Sequence, residues 1–357
     1  AKGALLLEPT RSNLITYSND FSQSTSYQDK NSTILLNQST SPNGSNNASS
    51  LIPSNTNTFH AIAINKPTVI GQNPTFSIFI KPNGYNFVQL VGGLGYNTTS
   101  DYWINFDIEN KTMVSKGSAF NGNFDIIKLN NGYVRISAEI EATSNNSGGQ
   151  ILLLPLFSNI QSRLPSHIGN GSSVYIYGAQ LEQGSYATSY IPTQGSAVTR
   201  VADACNNGGN DQVINSTEGV LYFEGIATNP DISANSQISI SSATNSGNNR
   251  VMITPSSDTL LSLRFNAGGT QLVTQAVTVS SLSVNSKIAV RWGNGNYSLY
   301  QNGLEVYTQA IASTPIGLSK LNFSSVTETL NFNGETRDLR IYNTALTDAE
   351  LTAITKI

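Results

Sequence analysis

The stretch "GAQLEQGSYATSYIPTQGSAVTRVADAC", Gly178 to Cys205, decides how this chain divides. It opens as the last strand of a domain, then runs on for about twenty residues with very little charge and little apolar periodicity. One complete series of alternating strands precedes it, and a second begins at Glu218. The "CNNGGNDQ" that follows Ala204 has the Gly- and Asn-rich composition of an exposed linker. Gly184–Asp203 is therefore expected to be a long connector leaving a first domain of residues 1–204, with a second domain at 205–357. Its Tyr186, Tyr190, Ile191 and Val198 are expected to pack it along the first domain.

Working outward, segments of period two mark half-buried strands. "FSIFIK" at Phe76–Lys81 is followed by a turn signal at Pro82–Gly84, and "FVQLVG" begins at Phe87. "DYWINFDIEN" sets Tyr102, Ile104, Phe106 and Ile108 on one face and Asp101, Trp103, Asn105 and Asp107 on the other. "NGYVRISAEIEA" sets Val134, Ile136, Ala138 and Ile140 against Tyr133, Arg135, Ser137 and Glu139. In the second half, "EGVLYFEGIA", "QISISSA", "NRVMITPSS", "LLSLRFNAGG" and "SKIAVRWGNG" read the same way. Asn302-Gly303 suits a two-residue type I′ hairpin turn. Only "TALTDAELTAI" reads as helix, with Thr347 as N-cap and Leu346, Leu351 and Ile354 as its apolar positions. Strands at this spacing without intervening helices predict an all-β protein: two β-sandwich or jelly-roll domains in tandem and a short C-terminal helix.

Composition excludes several roles. Charged residues make up 11% of the 357, and Asn alone outnumbers the 22 acidic residues. A net charge of −3 with 19 scattered Lys and Arg offers no basic stripe, so no nucleic-acid partner is expected. The longest apolar run, "ILLLPLF" at Ile151–Phe157, is too short to span a bilayer, so no membrane insertion is expected. Cys205 is the only cysteine, which rules out an intrachain disulfide or a cysteine metal cluster, and no partner that would activate it adjoins it in sequence. Asn-x-Ser/Thr triplets, as at Asn31, Asn37, Asn97, Asn215 and Asn296, have the form of glycosylation acceptors, against the expectation that an Asn- and Ser-rich chain produces them by chance. The opening "AKGALLLEPT" is not a Met start and reads as a processed product or a piece of something longer.

Four segments together resemble a module of tailed-bacteriophage virion proteins, the tail fibre and capsid decoration type. They are "GALLLEPTRSNLITYSNDFS" at Gly3–Ser22, "SPNGSNNASSL" at Ser41–Leu51, "NNGYVRISAE" at Asn130–Glu139 and "GAQLEQGSYATSYIPTQGSAVTRVAD" at Gly178–Asp203. The first domain is also similar to jelly-roll carbohydrate-binding modules. The second resembles the concanavalin A-like, laminin-G-like sandwich through "EGVLYFE", "YSLYQNGLEV" and "GETRDLRIYNTALTDAELTAI" at Gly334–Ile354. These resemblances imply a non-enzymatic adhesin on the virion surface. Its partners would be a host-surface or environmental polysaccharide, other virion proteins and further copies of itself, trimers being common among phage fibres. A structural decoration or spacer and a polysaccharide depolymerase are the alternatives. No cofactor is implied. The calcium of many jelly-roll glycan binders lacks its carboxylate here, because Gly178-Ala179-Gln180 occupies the matching place, and the Glu-x-Asp-x-x-Glu strand of related hydrolases is missing from the second half.

Site candidates follow from the alternation. Strict period two turns Trp103 outward beside Asn105 and Asp107, and the same logic presents Tyr133, Arg135 and Glu139 on a facing strand. Together these six would make a sugar platform, an aromatic ring flanked by amides and charges. The competing expectation is that a loop or a partner subunit covers Trp103. Trp292 and Tyr300 stand next in line in the second domain. Asp107 with Glu139 is the best carboxylate pair for glycosidic hydrolysis, against their being solvated face residues with one paired to Arg135. His60 and His167, the only histidines, adjoin no catalytic pattern.

Overall fold

The structure is a computed structural model and describes residues 3–227, 236–244 and 247–357. Among the described residues there are 25 strands and one helix. In chain order the first fifteen strands are β1 (Leu5–Leu7), β2 (Arg11–Asn13), β3 (Tyr27–Lys30), β4 (Ser32–Ser39), β5 (Ala48–Pro53), β6 (Ala61–Asn65), β7 (Pro74–Asn83), β8 (Phe87–Gly92), β9 (Trp103–Asp107), β10 (Thr112–Lys116), β11 (Phe124–Lys128), β12 (Val134–Glu139), β13 (Gln150–Leu156), β14 (Ser173–Gln183) and β15 (Val198–Arg200). They are followed by β16 (Gly219–Ile226), β17 (Ile238–Ser242), β18 (Arg250–Ser257), β19 (Leu260–Ala267), β20 (Thr270–Thr278), β21 (Ser286–Gly293), β22 (Asn296–Gln301), β23 (Leu304–Ala310), β24 (Leu318–Asn322), β25 (Gly334–Tyr342) and helix α1 (Asp348–Thr355). The protein is all-β, with β-sandwiches in tandem.

The chain forms two compact units, Arg11–Arg200 and a second made of Ala1–Thr10 with Val201–Ile357. In the first unit, two six-stranded antiparallel sheets run β10-β9-β8-β13-β6-β3 and β11-β12-β7-β14-β5-β4. Alternate residues of both meet in one core, including Ile62, Leu90, Ile104, Phe106 and Leu153 from one sheet and Phe76, Ile78, Val134, Ile136 and Ile176 from the other. The outward faces are also covered. A strap running from Phe157 to Gly169 lies over the first sheet, where Leu164 packs with Trp103, Val91, Leu152, Leu154 and Leu156. The connector after β14 lies over the second.

Strand β14 carries the device that holds the connector. A bulge between Tyr177 and Gln180 shifts its register against β7. Val174 and Ile176 therefore face the core before it, and Ala179 and Leu181 after it. Gly178 sits at the bulge with φ +63°, and a Cβ there would lie 2.9 Å from the Phe79 ring. That is a place for glycine alone. The bulge leaves Tyr177, Gln180 and Glu182 all facing outward, toward the connector.

In the second unit the sheets run β1-β25-β16-β21-β22-β23 and β20-β19-β18-β17-β24. Their core includes Leu221, Phe223, Val251, Phe265, Val290 and Trp292. The turn between β22 and β23 has Asn302 at φ 52° and Gly303 at φ 88°, the two positive values of type I′. Helix α1 starts from a full capping box at Thr347 and Glu350. Leu351 packs on Val220, Tyr222, Ala289 and Tyr300, so the helix covers the outer face of its sheet.

Two boundary expectations change. The first strand does not belong with the first domain: Leu5, Leu6 and Leu7 pair with Thr336, Glu335 and Gly334 of β25, and Leu7 enters the second core. The "CNNGGNDQ" segment is not a loose linker either. Gly208 and Leu321 exchange backbone hydrogen bonds of 2.9 and 2.7 Å, and Phe323 N donates to Cys205 O at 2.8 Å. Composition misleads here because an Asn- and Gly-rich segment can still supply backbone groups to an open sheet edge.

Candidate functional site

The six residues expected to share a platform do not share a surface. Trp103, Asn105 and Asp107 lie on β9, whose neighbours are β8 and β10. Tyr133, Arg135 and Glu139 belong to or adjoin β12, which pairs with β7 and β11 in the opposite sheet. Alternation was legible, since Trp103 does turn away from the core. The strap then buries it to 4% exposure.

Each of these residues has structural work. Gln89 Nε2 donates to Asn105 Oδ1 and to Ser162 O, both at 2.9 Å, and Leu164 N donates to Gln89 Oε1 at 2.9 Å. Asn105 Nδ2 donates to Ile160 O at 2.9 Å, so the strap is fastened by a buried amide pair. Asp107 caps its own turn by accepting from Asn110 N and Nδ2 at 2.8 and 2.9 Å. Glu139 accepts from Asn123 Nδ2 at 3.0 Å. Arg135 donates to Thr188 O at 2.6 Å and to Ser77 Oγ at 2.8 Å, with its guanidinium 5.3 Å from the Phe79 ring. It fixes the connector and does not pair with Glu139. Tyr133 is buried with Tyr177 and Ala48. Asp107 and Glu139, on opposite sheets with the core between them, form no hydrolytic pair. In the second unit Trp292 lies in the core, its Nε1 donating to Asn215 O at 3.2 Å, and Tyr300 lies under the helix.

The connector builds a different feature. Thr193 N donates to Ser18 Oγ at 2.9 Å, Thr193 Oγ1 donates to Ile15 O at 2.8 Å, and Gly195 N donates to Thr16 O at 2.7 Å. These bonds zip Thr193–Gly195 onto the segment before Asn19. Across from them stands the edge strand β4, where Asn37 adopts φ 58° at a register break between Leu35 and Ser39. Bulges bend edge strands. The result is an open groove of about 700 Å³ between Pro192, Thr193 and Gln194 on one wall and Leu36, Asn37 and Asn47 on the other, with Tyr17, Asn19, Asp20 and Ser22 completing it.

Its lining is polar and largely uncharged, with Asp20 as the one carboxylate. Tyr17 offers a half-buried ring, and Leu36 and Pro192 are exposed apolar surface. Asn37, Asn47 and Gln194 bring three amide side chains, and Asn19 is oriented by accepting from Gly178 N at 3.0 Å and Tyr190 Oη at 2.9 Å. Asp20 accepts from Ser22 Oγ at 2.6 Å and Gln23 Nε2 at 2.7 Å. The Ser22 hydroxyl above all, opposed by burial and helped by Gln23, holds its carboxyl below the usual range. Sequence reasoning missed the groove because its two walls lie far apart in the chain and are brought together only by tertiary hydrogen bonds such as Thr193 N to Ser18 Oγ.

A second hollow of about 580 Å³ in the other unit is lined by Glu224, Glu335, Arg337, Asp338 and Arg340. Its arginines are tied to their own strand: Arg337 Nε lies 2.6 Å from Glu335, and Arg340 Nη2 lies 2.5 Å from Asp338. Among the described residues, no group of three or more His, Cys, Asp and Glu side chains is placed to hold a metal ion.

Residues 228–352 match the family model of the concanavalin A-like lectin/glucanases superfamily. That span lies within the second unit. No curated protein matches the chain. Among solved structures, the chain is similar to the CBM40 of Ruminococcus gnavus IT-sialidase bound to α2,3-sialyllactose, at 16% identity over 43% of this chain and 97% of that one, with a TM-score of 0.36. It is similar to a heptameric SAP-like pentraxin from Limulus polyphemus at 12% identity over 42% and 74%, with a TM-score of 0.34. Domains LG4-5 of the mouse laminin α1 chain align at 11% identity over 97% and 95%, with a TM-score of 0.29. At such values these likenesses carry no argument about ligands.

Proposed function

We propose that the protein is a non-enzymatic glycan adhesin displayed on a phage particle, and that its first unit binds sugar in the groove between Tyr17, Asn37, Asn47 and Gln194. The observation that carries this reading is the groove itself: an open site within the roughly 300–1,000 Å³ typical of small-molecule pockets, with an aromatic ring and several amides. Sugars are neutral and hydroxyl-rich, so planar amides and a ring face suit them better than ion pairs do. The match of residues 228–352 to a lectin and glucanase superfamily supports a carbohydrate role at a coarse level. The virion setting is supported by the resemblance of Gly3–Ser22 and Gly178–Asp203 to tail-fibre and decoration modules. Many copies per particle would raise a weak single site to useful avidity.

The test is affinity electrophoresis and a glycan array with the wild type and Tyr17→Ala. A bound glycan whose affinity falls roughly five- to tenfold in Tyr17→Ala supports the groove, since an aromatic contact contributes about 1 kcal/mol or more. Binding unchanged in that variant moves the site elsewhere. No binding to any glycan leaves the decoration or spacer role.

A further inference from the structure

The groove's charge inventory goes further than a glycan in general, and the step taken here rests on its being the glycan site. Among its lining residues there is one ionisable acid, Asp20, and no Lys, Arg or His. We infer that the groove selects neutral polysaccharides and rejects those bearing carboxylates, with Asp20 as the residue that sets the selectivity.

The geometry behind this is local. Asp20 keeps one oxygen on Ser22 N and Oγ, at 3.1 and 2.6 Å, and the other on Gln23 Nε2 at 2.7 Å. The carboxylate is thus fixed at the groove by its own turn, with no cation to neutralise it in the lining. A sugar acid entering the groove meets a like charge and finds no basic partner, whereas its neutral counterpart meets the same ring, amides and hydroxyls without that repulsion. A unit like-charge contact a few ångströms away at surface dielectric amounts to about a tenfold loss of affinity. Such a loss is screened by salt, while hydrogen bonding and ring stacking of a neutral sugar are not.

The experiment uses matched polymers. Galactomannan, xyloglucan and a β-glucan are each tested in neutral form, after oxidation of their primary alcohols to carboxylates, and after methyl esterification of those carboxylates. The full chain is run in affinity gels at low and at high salt. Expected is binding to at least one neutral polymer, about tenfold weaker binding to its oxidised form at low salt, recovery on esterification, and a smaller gap at high salt. Asp20→Asn, which keeps an oxygen for the turn, should close most of the gap. Gln194→Lys, which leaves that turn untouched, should close or invert it. An oxidised form bound as well as its neutral parent, or a gap that neither variant moves, overturns the selectivity while leaving the groove a glycan site. A neutral polymer bound equally by wild type and Tyr17→Ala, or no polymer bound at all, overturns the groove reading and the selectivity with it.

Discussion

Ile191 N donates to Gln180 Oε1 at 2.6 Å, eleven residues back along the chain and wholly out of water. The same strand supplies Glu182, which accepts from Thr188 N at 3.0 Å and from the Thr188 hydroxyl. Asn13 completes the clamp: its Nδ2 donates to Ile191 O at 2.9 Å and Ala179 O at 3.2 Å, and its Oδ1 accepts from Leu181 N and Ile15 N, both at 3.1 Å. The long hydroxyl-rich segment after β14 is therefore a built layer of the first unit. It is held by outward polar side chains that only the Gly178 bulge brings into phase.

The first prediction tests that clamp. Gln180→Leu leaves Ile191 N without its acceptor and should cost about 1–3 kcal/mol. Asn13→Leu breaks four hydrogen bonds at a site with no exposure and should cost more. Urea unfolding gives the magnitude. Trypsin cleavage at Arg200 gives the place, and it should speed up well before global unfolding if the connector detaches locally. A stability change without faster cleavage would mean that the connector is held elsewhere.

Trp103 gives the second prediction. Packed under the strap with Leu152, Leu154 and Leu164, it is a core side chain of a small second cluster. Trp103→Ala should destabilise the first unit by about 3–5 kcal/mol. Trp103→Phe should cost much less and leave glycan binding intact. Lost binding in a stably folded Trp103→Phe would restore the platform expectation.

How much of this was legible beforehand differs by residue. Ile104, Phe106, Val134 and Ile136 reveal their face through period two, so strands and core follow from sequence. Trp103 obeys the same alternation and still misleads, because nothing local says that the chain from Phe157 will fold back across it. Tyr17 and Gln194 are adjacent only through the tertiary ladder at Ser18 and Thr193, which spacing cannot show. Thr347 and Asn302, by contrast, act through neighbours within a few residues, and both were readable. Asn97 and Asn215, which look like glycan acceptors, accept from Thr99 N and Thr217 N at 3.0 Å, the turn chemistry of their triplets.

A pH dependence follows from His167. Burial first, and the His60 ring 4.7 Å away second, lower its pKa from the ordinary value of 6.5. The unfolded chain then takes up the proton more readily than the folded one. The resulting stability is present above about pH 6.5 and is lost progressively as the pH falls through that value toward the folded pKa. Urea midpoints at about pH 7.5 and 5.5 should differ for the wild type in favour of the higher pH, and less so for His167→Phe. An identical drop in the variant would place the acid sensitivity in other groups.

The last prediction concerns the ten residues that leave the first unit. Leu7 is 4% exposed in the second core, opposite Gly334, while Leu5 and Leu6 lie 44% and 47% exposed on the edge strand. Removing residues through Thr10 takes away Leu7 and uncovers the edge of β25. The chain has two tryptophans, and each core environment holds one, Trp103 in the first unit and Trp292 in the second. Single-tryptophan versions made by conservative Phe substitution thus report on each unit separately. Leu7→Ala should lower the unfolding free energy reported by Trp292 by about 2–4 kcal/mol if the site collapses little, and leave that reported by Trp103 where it was. The deletion should do the same more strongly. It should also raise hydrogen exchange in β25 and β16, while β7 and β14 keep their protection. Equal shifts at both tryptophans would mean that the two units unfold together; no shift at Trp292 would mean that β1 adds nothing to the sheet it completes.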